Sequence, residues 1–483
     1  MSKTTILPEK NGGAKIDSLR ERWGVPLAVL CMLVVWFMPT PVSLSLAGKK
    51  ALILFSGVFV LYLTEAIPLA ITSLAVVPGA VLLGVTNLKG ALDGFSSSSV
   101  YLLVGAFILA SAMVKTQLAE RITYVILSRI GCSTRNITIG VTLANVCLAF
   151  LVPSSTARTA ILLPVCLSII STFKAEGRSP FAIGLLLTLA FTNATIGAGI
   201  LTATVPNPVT IDFIIKAGGP AISYMDWLIY GFPPALLMTF FTWWFIQRIY
   251  RPERSEIPGG QEHIDEKLAQ FGKMTSSEWR ALSVFVFVVI LWAAGSLLKI
   301  DATTACLIGV VLLFLPGFGV LTWADANKGV SWQIVLVCGG GISLGEMLMK
   351  TGAAKWLAVT IFNAMGMHAL STLALLILVM VVIQYLHIFF VGTTAMATAF
   401  LPIILALAAE ANLPPAVLAL PAGMIIGGYP LLMFYNTLPN ILIYGTGSLK
   451  MEDFPRVGIV ICAVACVFYA VCAATYWRWV GLF

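Results

Sequence analysis

Charge is what this sequence has least of: Asp, Glu, Lys and Arg make up 10% of its 483 residues, and only three histidines occur, His263, His368 and His387. Soluble domains carry about a quarter of their residues charged, so this composition excludes the ordinary globular class. The signatures of energy-consuming chemistry are missing too. No G-x-x-x-x-G-K-[ST] phosphate loop is present, which excludes an ATP-driven pump. No histidine falls in H-E-x-x-H or beside a G-x-S-x-G serine, which argues against a membrane hydrolase, and no enzyme activity is expected. The nine cysteines form no C-x-x-C pair and no metal-ligand spacing, so neither a disulfide framework nor a metal site nor any cofactor is expected.

What is abundant is apolar sequence. Hydrophobic residues reach 59%, and runs long enough to cross roughly 30 Å of hydrocarbon recur from Trp23 to the C-terminus. Spans are predicted near 24–40, 51–64, 68–86, 98–116, 180–203, 226–247, 280–298, 302–322, 331–349, 413–434 and 456–481. Two further apolar segments, 137–172 and 370–409, break in the middle. The expected fold is therefore an all-α integral membrane protein with about eleven transmembrane helices plus two re-entrant hairpins. Residues 1–22 read as a cytoplasmic N-terminal tail, 23–247 as a first span plus a first repeat, 248–279 as a cytoplasmic connecting loop, and 280–483 as a second repeat. The net charge of +8 resides mostly in short segments on the side of that loop, so it sets orientation and calls for no nucleic-acid partner. A polar start without a cleavage pattern fits a multi-pass protein of the bacterial inner membrane with its N-terminus inside.

Three segments recur at nearly constant offset. Val104-Gly105-Ala106 through Lys115-Thr116 matches Gly339-Gly340-Gly341 through Lys350-Thr351 at an offset of 235; Ser154-Ser155-Thr156-Ala157 matches Gly392-Thr393-Thr394-Ala395 at 238; Thr204-Val205-Pro206-Asn207 matches Thr437-Leu438-Pro439-Asn440 at 233. Three matches in one order argue for duplication, and an odd number of spans between mates predicts an inverted repeat.

Both hairpin interruptions are rich in hydroxyls: Pro153-Ser154-Ser155-Thr156-Ala157-Arg158-Thr159 and Gly392-Thr393-Thr394-Ala395-Met396-Ala397-Thr398. At membrane depth a non-helical backbone is tolerated only against protein or a wet cavity. Free N–H groups at the N-termini of half-helices favour negative charge, so the predicted ligand is a small anion. The Thr-x-Pro-Asn pairs add a second set of breaks. The candidate binding residues are Ser154, Ser155, Thr156, Gly392, Thr393, Thr394, Thr204, Asn207, Thr437 and Asn440. The protein's other expected partner is the lipid bilayer. A channel with polar hairpins shares these features, and saturable counterflow would separate it from a carrier.

These motifs resemble the divalent-anion/sodium symporter family, which includes bacterial dicarboxylate symporters and the citrate/succinate, tartrate/succinate and 2-oxoglutarate/malate exchangers. That family carries Ser-Asn-Thr at two hairpin tips, each followed by proline, and paired Thr and Pro-Asn breaks. Here Ser155 and Thr393 stand where its motif asparagines stand. The resemblance implies a homodimer, each protomer divided into a scaffold part and a transport part that moves like an elevator. It also implies a small-dicarboxylate substrate such as succinate, malate, fumarate or 2-oxoglutarate, with sulfate as a less favoured alternative.

An arginine at membrane depth is costly and calls for an anion. The family's sodium-independent exchangers carry one at the position of Arg158, within a Ser-Ala-Arg-like sequence that Thr156-Ala157-Arg158 resembles. Arg158, and in the second half His387, are therefore expected to supply the positive charge that sodium supplies in the symporters. A fixed charge would make the empty carrier costly to move, which predicts exchange. The alternative is sodium-coupled symport with Ser154, Ser155 and Thr393 as ligands. Glu65 and Glu410 read as span ends, and Glu346 has no assigned role.

Overall fold

A computed structural model describes residues 13–173, 178–256 and 259–482, and every regular element among them is helical. Among the described residues eleven helices are long and apolar enough to cross a membrane; four of these are the arms of the two hairpins. Four shorter apolar helices, including Leu69–Leu82 and Pro415–Gly428, supply the remaining predicted spans. The first helix, Gly13–Phe37, starts inside the stretch expected as a polar tail, whose residues 1–12 lie outside the described residues.

The hairpins break more sharply than their sequence suggests. The first has arms Thr134–Leu151 and Ser155–Thr172, leaving three residues between them. Helix resumes at once because the Ser154 hydroxyl accepts the Ala157 N–H at 3.2 Å, capping the first turn. The second runs Thr372–Leu386, a 3₁₀ turn His387–Phe389, then Thr393–Glu410. Gly392 caps this last helix in extended conformation and has no side chain to offer its amides.

Two more helices break at depth. Pro180–Gly197 gives way to turns and restarts as Pro206–Lys216; Pro415–Gly428 restarts as Leu438–Tyr444. Each restart places proline in the first turn, where its missing N–H has no consequence. The carbonyls freed by each break are satisfied alike. Asn207 donates to the carbonyls of Gly197 and Ile200, each at 2.8 Å, and Asn440 to those of Pro430 at 2.9 Å and Met433 at 3.4 Å.

The connecting segment is not all loop. It holds an amphipathic helix, Gly260–Gln270, that packs on Leu118–Ile130. Arg121 fixes it by donating to the Gly272 carbonyl at 2.8 Å and the Phe271 carbonyl at 2.9 Å while pairing with Glu278 at 2.5 Å. His263 lies on this helix, 2.7 Å from Ser168 Oγ on the first hairpin.

Packing groups the spans into two sets that meet where Trp332–Lys350 packs on Thr393–Glu410. Leu46–Thr64, Leu69–Leu82, Ser98–Lys115, Ser276–Ala293, Ala302–Leu312 and Trp332–Lys350 contact one another; the hairpins and broken helices gather with Tyr224–Ile249 and Asp453–Ala474. One surface between the sets is made of small residues. Gly341 and Gly345 lie one turn apart on Trp332–Lys350, and a Cβ at Gly341 would overlap Thr398, at Gly345 Phe213.

Candidate functional site

The two hairpin tips and the two helix breaks converge on one cavity of about 300 Å³, at the lower end of the range for small-ligand sites. Its wall contains Ser154, Ser155, Thr156, Gly392, Thr393, Thr394, Thr204 and Thr437. Segments more than two hundred residues apart in sequence are thus brought to one place. Helices of the other set complete the wall with Leu103, Phe107, Ser331, Gln333 and Glu65. Glu65, Ser331 and Gln333 stand at helix ends on the side of the bundle that carries the connecting segment.

The first-turn amides of Ser155–Thr172 and Thr393–Glu410 lack intrahelical acceptors and sit beside this space. Ser155, Thr156, Thr393 and Thr394 bring hydroxyls to the same wall, giving two nests of donors around one cavity. A molecule with a carboxylate at each end matches that arrangement. The nests are unequal: Ser154 already occupies one amide of the first, whereas Gly392 leaves the second uncapped.

Two predicted binding residues are elsewhere. Asn207 and Asn440 are fully buried and absent from the cavity wall, because their amides are turned back onto the carbonyls of their own helix breaks. They brace the breaks, and of the two break motifs Thr204 and Thr437 are the members that reach the cavity wall.

Arg158 lies just behind the cavity. It is fully buried, and a small void of about 30 Å³ lined by Ser155, Thr204, Thr393 and Thr437 separates it from the main space. Its guanidinium donates to Asn193 Oδ1 at 2.7 Å, the Val152 carbonyl at 2.9 Å and the Asn193 carbonyl at 3.3 Å, with the Ala203 carbonyl at 3.5 Å. Val152 belongs to the hairpin break and Ala203 to the helix break. The cation thus joins both irregular segments through their backbone oxygens. Among the described residues no carboxylate pairs with it.

His387 also stands behind its hairpin tip and outside the cavity wall. It is buried, with Nδ1 3.2 Å from the Gln384 carbonyl and Nε2 3.2 Å from the Ile426 carbonyl.

Sequence reasoning missed two asparagines that hold these groups. Asn193 accepts from Arg158 and donates to the Ser155 carbonyl at 2.8 Å and Thr159 Oγ1 at 2.7 Å. Asn436 donates to the carbonyls of His387 at 2.5 Å and Phe390 at 3.0 Å, fixing the second tip. Their only signal is an amide within a long apolar run.

Comparison with known proteins agrees with this geometry. Residues 19–483 match the family model described as the sodium:sulfate symporter transmembrane region. A membrane protein of Cupriavidus necator is 32% identical over 478 residues, covering 95% of this chain and 93% of that one. The sodium-dependent dicarboxylate transporter SdcS of Staphylococcus saprophyticus is 29% identical, covering 90% and 87%. The putative malate transporter YflS of Bacillus subtilis is 27% identical, covering 95% and 97%. The crystal structure of the Alcanivorax borkumensis YdaH transporter superposes with a TM-score of 0.53 at 12% identity, covering 89% of this chain and 98% of that one, a likeness of fold. With the whole membrane region matched and the paired hairpins and breaks in order, this chain belongs to the sodium:sulfate symporter family of multi-pass membrane transporters, the divalent-anion/sodium symporters.

Proposed function

We propose that this protein exchanges C4 and C5 dicarboxylates, such as succinate, malate, fumarate and 2-oxoglutarate, across the bacterial inner membrane without sodium. The observation that carries this reading is Arg158, whose guanidinium occupies the backbone oxygens of Val152 and Ala203 beside the cavity. Those carbonyls are the groups a mobile cation would need. With the positive charge built in, an empty site is costly to carry through the membrane, and a dianion offsets that cost. His387 has the corresponding role in the second half; carbonyls at both ring nitrogens are the surroundings that an imidazolium satisfies.

The reading includes an inverted repeat, 23–247 against 280–483, with the N-terminus cytoplasmic and the cavity open inward. The hairpins, the broken helices, Tyr224–Ile249 and Asp453–Ala474 form the transport part; the other set is the scaffold, which in a homodimer stays fixed while the transport part moves as an elevator. The glycine surface of Trp332–Lys350 supports such a sliding boundary.

The names of relatives favour a second reading. SdcS is a sodium-dependent dicarboxylate transporter, and here Ser154, Ser155 and Thr393 would ligate sodium together with break carbonyls. Uptake of radiolabelled succinate into proteoliposomes separates the two. Uptake that needs internal dicarboxylate and ignores a sodium gradient is the expected result; sodium-driven uptake into empty vesicles establishes symport.

A further inference from the structure

We propose that Glu346, Lys216 and Asp212, with Lys350 and Asp93, form an ionic latch across the boundary between scaffold and transport parts that holds the inward-open state. The inference rests on the elevator reading. Lys216 and Asp212 lie on Pro206–Lys216, directly after the helix break that lines the site; Glu346 and Lys350 lie at the far end of the scaffold helix Trp332–Lys350, and Asp93 on the scaffold turn Asp93–Ser96. Glu346 Oε1 pairs with Lys216 across the boundary, and Lys216 also holds Asp212 at 2.6 Å. The other oxygen of Glu346 takes Lys350 at 2.9 Å, which reaches Asp93 at 3.4 Å. Two hydroxyls close the same seam: Ser97 Oγ donates to Asp212 Oδ1 at 3.2 Å and Ser99 Oγ to the Pro208 carbonyl at 2.9 Å.

All these groups stand at the end of the bundle opposite the cavity-lining Glu65, Ser331 and Gln333, the side that is open in the inward-open reading. Moving the transport part outward slides Lys216 and Asp212 past Glu346, whose side chain is 9% exposed. Glu346 would keep Lys350 on its own helix but lose Lys216, and Asp212 would lose Ser97, so the full network is made in one state only.

The repeat shows that the latch is one-sided. At an offset of 235, Lys350 corresponds to Lys115, which pairs with Asp325 at 2.6 Å inside the scaffold, as Lys350 does with Asp93. The groups that cross the boundary have no such mates. Glu346 corresponds to Ser111, and at an offset of 233 Lys216 and Asp212 correspond to Leu449 and Gly445. Inverting the repeat to obtain an outward-open arrangement therefore breaks the outer network without creating an inner one. The resting equilibrium is biased inward by residues that touch no substrate.

The test uses the full chain in vesicles, with the native cysteines replaced and a reporter Val391→Cys on the second hairpin tip, labelled from either side by an impermeant maleimide. The parent should label from both sides, faster from inside. Glu346→Gln and Lys216→Met should each raise the outside-to-inside labelling ratio about tenfold, as loss of a state-specific interaction requires, and the double variant should add little to either. Lys350→Met, at an exposed side chain, should shift the ratio in the same direction and serves if the buried variants fail to fold. Labelling of the parent from one side only would overturn the elevator reading. Two-sided labelling with a ratio unchanged in every variant that folds would overturn the latch alone.

Discussion

Replacing Arg158 by Gln removes the charge while keeping a donor that can reach the Val152 carbonyl. Ser155 lines both the cavity and the void that holds the guanidinium. A carboxylate bound at Ser155 would thus lie on the order of 6 Å from that charge, where an effective dielectric of about 20 makes a unit pair worth about 3 kcal/mol. Dicarboxylate affinity should therefore fall roughly a hundredfold. Arg158→Lys retains the charge but lacks the planar fork that bridges Asn193, Val152 and Ala203, so it should lose only about tenfold. Succinate titration of purified protein, followed by substrate-induced thermal stabilisation, measures both variants; counterflow in proteoliposomes then gives transport. If Arg158→Gln binds succinate within about threefold of the parent and exchanges normally, the charge is not part of the site and the electrostatic argument fails.

Thr156→Val and Thr394→Val each remove a hydroxyl from a donor nest and should weaken succinate binding about fivefold, on the scale of one hydrogen bond. Ser96→Ala, whose hydroxyl serves only the Asp93 carbonyl at the surface, should leave binding unchanged; equal effects at all three positions would disprove the two-nest site. Asn193→Leu strands the Ser155 carbonyl and the Arg158 Nε–H, and each orphaned group costs about 1–3 kcal/mol, so the melting temperature in detergent should drop along with exchange; an unchanged melting temperature would show that Asn193 is dispensable as a brace. Gly345→Val thickens the boundary against Phe213 and Pro402 at a strain of about 1–3 kcal/mol. It should slow counterflow by tenfold or more while succinate still stabilises the protein; fast counterflow would argue against sliding at this surface.

The breaks were legible in the sequence because proline and clustered hydroxyls have no ordinary place in an apolar run, and duplication marked which breaks belong together. What an asparagine does at a break was not legible. Residue type announces a polar group and leaves its direction open, and at Asn207 and Asn440 the nearest unsatisfied partners are carbonyls of the break itself. Asn193 and Asn436 escaped for another reason: at the offset of 233 shared by the neighbouring break motifs they correspond to Ile426 and Ala203, so a search for symmetric pairs passes over them. The connecting helix Gly260–Gln270 was read as loop because its charged face dominates a short segment. Its buried Ile264 shows the apolar stripe that packing needed. Glu346 had no role on sequence grounds because the partner that gives it one, Lys216, comes from Pro206–Lys216, more than a hundred residues away.

The fixed guanidinium also has an electrical consequence. Under the proposed exchange, a translocating unit that always carries Arg158 would move through the membrane field with a valence set by its cargo, and each elementary charge crossing 100 mV changes the energy by about 2.3 kcal/mol. When the inbound and outbound substrates are both dianions the two half-cycles carry equal charge, and voltage cancels from the net exchange. Trading a dianion for a substrate of different valence breaks that balance, so the membrane potential would then drive a hetero-exchange in one direction.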